Sequence, residues 1–178
     1  MRVLVFGYGS LTHGGGTPAR LHGYRRAWNV AMDNRATIPG YKYYVDAAGR
    51  RPEVFMTFLN LVPGDGVDGV VFEADRAVLD ARERNYRRVD VSAAIDVPGP
   101  VYAYIGLGEA VERFEAGRRE GRSVAQRAYV ESVRGFAEPP QLPVLDLTRI
   151  DLPADPAAGS DGHHPSSGPV GGEGPALP

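Results

Sequence analysis

The strongest limit on the fold comes from two β-prone runs separated by the turn Pro63-Gly64-Asp65-Gly66. Glu53 to Val62 precedes that turn, rich in Val, Phe, Leu and Thr, and Val67 to Phe72 follows it. Both have strand length, and the Pro/Gly pair between them stops either from continuing as a helix. Arg2 to Phe6 reads as a third strand, running into a glycine turn. Arg25 to Met32 reads as extended, with Trp28, Val30 and Met32 on one side and Ala27, Asn29 and Ala31 on the other, and Asp46 to Arg51 reads as a turn. The period then changes: Asp75 is placed to N-cap a helix reaching about Arg84, with Val78, Leu79 and Arg82 at helical spacing. Tyr86 to Val97 returns to strand, Pro98-Gly99-Pro100 turns the chain, and Val101 to Ile105 is a further strand. Two helices are predicted to close the body. The first spans Glu109 to Arg119 and ends near Gly121. The second opens on Ser123-Val124-Ala125-Gln126, a capping-box match, with Val124, Ala128, Val130 and Val133 on its apolar face. Strands lead, one helix interrupts and helices finish. With hairpin-length connections, this predicts an α+β domain around a mostly antiparallel sheet or small barrel.

A chain of 178 residues suits one domain with a substantial core. That domain is read as residues 1–150, and 151–178, dominated by Pro, Gly, Ala, Ser and Asp, as a disordered tail. His163 and His164 fall in the tail, where no carboxylate-rich helix frames them as metal ligands. A near balance of 20 Lys+Arg against 22 Asp+Glu, net charge -2, argues against a general nucleic-acid binder. The chain has no cysteine, which excludes disulfides, thiolate metal sites and Cys nucleophiles and is compatible with a reducing cytoplasm. The apolar run ending at Phe6 is too short for a signal peptide and no stretch approaches a membrane span, so a soluble cytoplasmic protein is expected. Lys42 is the sole lysine and hence the single candidate for Schiff-base chemistry.

Two features carry chemistry. In Phe6-Gly7-Tyr8-Gly9-Ser10-Leu11 the glycines let successive backbone N–H groups converge on a carboxylate or oxyanion. Phosphate fits less well. Leu11-Thr12-His13 replaces the Gly-Lys-Ser/Thr of a phosphate loop, and Gly14-Gly15-Gly16-Thr17-Pro18 continues as loop where a dinucleotide fingerprint opens a helix. On glycine spacing alone, a plain tight turn remains the alternative. The second feature is Glu83, four residues after Leu79. On a helix it projects along the line of a core residue, where desolvation raises a carboxyl pKa, while Arg82, Arg84, Arg87 and Arg88 oppose that rise if they face it. The alternative is a surface Glu paired with a neighbouring Arg.

Taken in order, Tyr8-Gly9-Ser10-Leu11, Leu21-His22-Gly23-Tyr24-Arg25-Arg26, Asn60-Leu61-Val62-Pro63, Gly69-Val70-Val71-Phe72 and Leu79-Asp80-x-Arg82-Glu83-x-x-Tyr86-x-Arg88-Val89 resemble the γ-glutamyl cyclotransferase superfamily. The match runs from about Arg2 to Phe136. The resemblance implies a compact β-barrel flanked by helices and a reaction that needs neither metal nor cofactor. In that family the α-amine of a γ-glutamyl group attacks its own γ-carbonyl, giving 5-oxoproline and a free amine or amino acid; free γ-glutamyl amino acids, γ-glutamylamines, glutathione and a γ-glutamyl-protected biosynthetic intermediate stay open as substrates. The resemblance implies that Glu83 is the catalytic proton carrier. It also implies that Phe6 to Leu11 bind substrate, chiefly through the N–H groups of Gly9, Ser10 and Leu11, and that Tyr129 touches it. An ordinary core-edge role for Tyr129 stays open. For Tyr41, Tyr43 and Tyr44, packing is favoured over a place at a pocket mouth. The competing function is a binding module that keeps the pocket for a small γ-glutamyl or carboxylate ligand without turnover. No nucleic-acid or membrane partner is expected.

Overall fold

Two sheets, turned face to face, hold the core, and the chain passes between them several times. The structure, a computed structural model, describes residues 1–154. In order the elements are β1 (Arg2–Gly7), a 3₁₀ turn (Ser10–Gly14), β2 (Thr17–Leu21), β3 (Tyr24–Asp33), β4 (Lys42–Val45), β5 (Phe55–Pro63), β6 (Val67–Asp75) and α1 (Arg76–Arg82). There follow β7 (Tyr86–Asp90), a second 3₁₀ turn (Ser92–Ala94), β8 (Val101–Gly106), α2 (Gly108–Arg119), β9 (Ser123–Gln126), α3 (Arg127–Val133), β10 (Val144–Leu145) and β11 (Thr148–Asp151). One sheet has the order β2-β6-β1-β8-β7, a second β10-β9-β5-β3, and β4 pairs with β11 as a separate ribbon.

The α+β class is as expected; the barrel is not. Among the described residues the ladder does not close, and its three sheets remain separate. One break between the sheets lies at the turn from Pro63 to Gly66. Pro63 to Gly66 does not fold β5 back on β6 as a hairpin; β5 pairs with β3 and β9, while β6 pairs with β1 and β2. Leu59 and Leu61 of β5 then meet Phe6, Val71, Val101 and Ala103 of the facing sheet in the main core. Residues 55–61 are buried on both faces, which is why this strand reads as a near-continuous apolar run. α2 covers one outer side through Phe114 against Ala31 and Phe55, and Leu79 of α1 packs beside Val5 and Tyr104 on the other.

Several expected elements are corrected. Ser123 to Gln126 is not a capping box but β9, pairing in parallel with β5 through Phe55↔Ser123 and Met56↔Val124. The Ser123 hydroxyl donates to Phe114 O (3.0 Å) and caps nothing, so buried strand pairing outweighs a local helix signal. The strand from Tyr86 stops at Asp90, whose carboxylate accepts from Ser92 N (2.9 Å) and turns the chain. Val78 points to solvent, leaving Leu79 as the buried residue of α1. In α3 only Val133 is buried. The tail boundary moves as well: Asp151 belongs to β11, Leu152 N donates to Tyr41 O (2.7 Å) and Gly40 N to Pro153 O (2.9 Å). The rest of the expected tail, with His163 and His164, lies outside the described residues.

The β4–β11 ribbon is moored by Asn34, which is fully buried. Its amide donates to Tyr44 O and Pro52 O (2.9 Å each) and accepts from Tyr44 N (2.7 Å). Asn34→Ala strands those backbone groups, and a loss of roughly 2 to 4 kcal/mol is expected in urea denaturation, since each buried orphan costs about 1–3 kcal/mol.

Candidate functional site

The glycine loop is held from three sides. β1 lies between β6 and β8 and delivers Tyr8 to the edge of the core. There the Tyr8 hydroxyl donates to Tyr104 O (2.6 Å) and Arg26 Nε donates to Tyr8 O (2.7 Å). Thr12 closes the turn, its N–H and hydroxyl both donating to Gly9 O (3.0 and 2.8 Å). Gly9, Ser10 and Leu11 line a cavity of 510 Å³, and among the described residues nothing accepts from their backbone N–H groups. The space beside Gly9 is filled by Tyr129, since a Cβ at position 9 would stand 3.2 Å from its hydroxyl. Tyr129 is clamped edge-on by Trp28 and Phe58, with ring centroids 5.6 and 5.3 Å away.

Glu83 reaches the same cavity from the end of α1. Asp75 caps the start of that helix, accepting from Val78 N (3.2 Å). Near its end, Asp80 accepts from the Tyr104 hydroxyl (2.8 Å) and from Arg88, tying α1 to β7 and β8. Glu83 is the C-cap and not an interior helical residue, yet its N–H still donates to Leu79 O (2.8 Å), so the expected alignment with the core survives. Its side chain is 15% exposed and its carboxylate lies 3.1 Å from Arg82 Nε. Burial pushes the Glu83 pKa up, while Arg82, Lys42 and Arg149 pull against that rise without cancelling it. The arginine pairing foreseen as the alternative is therefore present, but within the cavity. Tyr86, whose hydroxyl donates to Leu59 O (2.7 Å), forms a fixed part of the wall beneath it.

The structure thus brings Tyr8, Gly9, Ser10, Leu11, Glu83 and Tyr129 to one cavity, and leaves Phe6 and Gly7 outside it. Phe6 is wholly buried in the core, and a Cβ on Gly7 would press on Phe72 and Leu11 at 3.1 to 3.2 Å. Both pack behind the loop. The sequence reading missed the opposite wall. In the ribbon, Lys42 lies opposite Asp151 and Tyr44 opposite Arg149. Opposed residues and residues two apart share a face, and all four line the cavity, with Tyr41 beside them. The signal was there as alternation, but one strand fell in a segment read as packing and the other at the edge of the expected tail. Among the described residues no group of three or more His, Cys, Asp or Glu is placed to hold a metal ion, and no helix is long and apolar enough to cross a membrane.

No family model matches the chain, and neither does any curated protein. Among solved structures, it is similar to a gamma-glutamyl cyclotransferase at 16% identity and TM-score 0.40, covering 82% of this chain and 95% of the other. It is also similar to an uncharacterized protein from Homo sapiens at 17% identity and TM-score 0.38, covering 82% and 94%. These likenesses are loose, and the reading of function rests on the residues of the cavity and the ordered sequence motifs.

Proposed function

We propose that the cavity carries out γ-glutamyl cyclotransfer. The observation that carries this reading is that a desolvated carboxylate, Glu83, shares one cavity with the free N–H groups of Gly9, Ser10 and Leu11. The α-amine of a bound γ-glutamyl group attacks its own γ-carbonyl carbon, forming the ring C–N bond. The oxyanion that develops is stabilised by the loop N–H groups. Glu83 takes the proton from the attacking nitrogen and returns it to the departing nitrogen as the original amide bond breaks. The products are 5-oxoproline and one amine; no water and no redox partner enters. Because nucleophile and electrophile belong to one molecule, the main task is to fold the substrate into a near-attack ring, which the wall of Tyr8, Tyr86 and Tyr129 suits. The cytoplasm is the proposed location. Mass-spectrometric detection of 5-oxoproline from a panel of γ-glutamyl amino acids, γ-glutamylamines and glutathione tests the reading, and binding without product would favour the non-catalytic module.

The proton role has a pH signature. As a base, Glu83 must be ionised, so kcat/KM falls as pH drops through its raised pKa. Arg82 favours the ionised form. Arg82→Gln is expected to raise that pKa further and move the acid limb of the profile to higher pH.

A further inference from the structure

The run Leu21 to Arg26 ends in two arginines that the reaction leaves unassigned, and they are placed differently. Arg25 is exposed, whereas Arg26 is half-buried. Arg26 lines a second cavity, of 600 Å³, and not the one that holds Glu83; Leu59 is the residue both share. From β3 the Arg26 guanidinium reaches two backbone carbonyls: Nε donates to Tyr8 O (2.7 Å) and Nη2 to Asp68 O of β6. The ring of Phe136, just beyond α3, has its centre 4.8 Å from the guanidinium carbon. Among the described residues no carboxylate lies within ion-pair distance of Arg26, and that of Asp68 is held by Arg20 at 3.0 Å. The charge therefore falls on the two carbonyls, in hydrogen bonds stronger than neutral ones.

Tyr8 O belongs to the same peptide unit as Gly9 N. That unit is trans and planar, so its C=O and N–H point in opposite directions. A guanidinium that draws Tyr8 O toward the second cavity turns the Gly9 N–H the other way, and Gly9 lines the cavity of Glu83. The other ties on the loop do not set this plane. The bond from the Tyr8 hydroxyl to Tyr104 O holds a side chain, and Thr12 holds Gly9 O, which belongs to the next peptide. A cation on the carbonyl also polarises the unit and makes its N–H a stronger donor.

We infer that Arg26 is a positioning residue: by gripping Tyr8 O it fixes the plane of the Tyr8–Gly9 peptide and aims the Gly9 N–H at the developing oxyanion. The oxyanion half of this rests on the cyclotransfer reading; the fixed peptide plane stands on the geometry alone. Because the donor acts on charge that forms in the transition state, loss of Arg26 is read in kcat and not in KM.

With γ-glutamyl-alanine as substrate, Arg26→Ala is expected to lower kcat by about 10- to 100-fold while KM changes less than about twofold. Millimolar guanidinium, far below a denaturing concentration, is expected to restore part of the lost kcat by filling the vacated place beside Tyr8 O. Arg25→Gln, which removes the same charge from the exposed neighbour, keeps the parent kcat and gains nothing from guanidinium. By ¹⁵N relaxation the Gly9 amide is expected to be rigid in the parent, with an order parameter of about 0.85, looser in Arg26→Ala and tightened again by guanidinium. Unchanged kcat, a loss confined to KM, or an unrestored loss with a rigid Gly9 amide overturns the assignment. If Arg26→Ala fails to fold, Arg26→Lys keeps the charge without the planar fork, and parent kcat with a rigid Gly9 amide then overturns it. Absence of 5-oxoproline from the parent removes the reaction and not the grip on the loop. The Gly9 amide then decides alone: loosening in Arg26→Ala upholds the grip, and unchanged relaxation overturns it.

Discussion

Glu83→Gln is expected to lower kcat for 5-oxoproline formation by about 10²- to 10⁴-fold, the usual contribution of a positioned acid–base group. KM is expected to change little, because the amide fills the same volume. The effect on the fold runs the other way. Glu83 has a pKa raised above its ordinary value by burial, so the folded state holds its proton more tightly than the unfolded chain. The stability this group contributes is present below its unfolded pKa and lost as pH rises through the folded pKa, leaving an ionised, partly desolvated carboxylate at neutral pH. Glutamine removes that penalty. Thermal unfolding at neutral pH should give a Tm at or above the parent's alongside the lost activity, a trade-off common where a site strains its scaffold. A glutamate on the outer surface, merely paired with Arg82, would show neither effect.

Gly69→Ala is expected to weaken the fold and the activity together. A Cβ there would overlap Gly7 O and stand 2.6 Å from Phe6 Cζ, so β1 must shift where it feeds the glycine loop. Overpacking of this kind costs about 1–3 kcal/mol, read as a lower urea midpoint, and kcat/KM falls because the donors of Gly9 to Leu11 lose their aim. Gly108→Ala is the control: nothing lies within 4 Å of its Cβ position at the start of α2, so the urea midpoint should hold or rise slightly.

What the sequence reveals depends on how local the cause is. The Asp75 cap, the strand before Tyr8-Gly9, and the α2 span are set by neighbours in the chain, and each lies within a residue or two of its expected place. The β9 segment shows the limit. Ser123 to Gln126 satisfies a capping pattern, but its partner is Phe55-Met56, and that pairing exists only once α2 has carried the chain back across the sheet. The site divides in the same way. Glu83 and the loop were legible because ordered motifs mark them. The facing wall was not, because Lys42 and Asp151 become opposed only through pairing of two four-residue strands far apart in sequence. Asp80 and Arg88, conspicuous in the motif, turn out to hold the end of α1 against Tyr104, while Arg82, Glu83 and Tyr86 reach the cavity.

Reaction in ¹⁸O-labelled water tests the central claim, that Glu83 and the glycine loop drive attack by the substrate's own amine. With γ-glutamyl-alanine, unlabelled 5-oxoproline and alanine are expected in equal amounts from the parent protein, and about a hundredfold or more slowly from Glu83→Gln. Glutamate carrying ¹⁸O, which marks attack by water, or undiminished 5-oxoproline from Glu83→Gln, would contradict it.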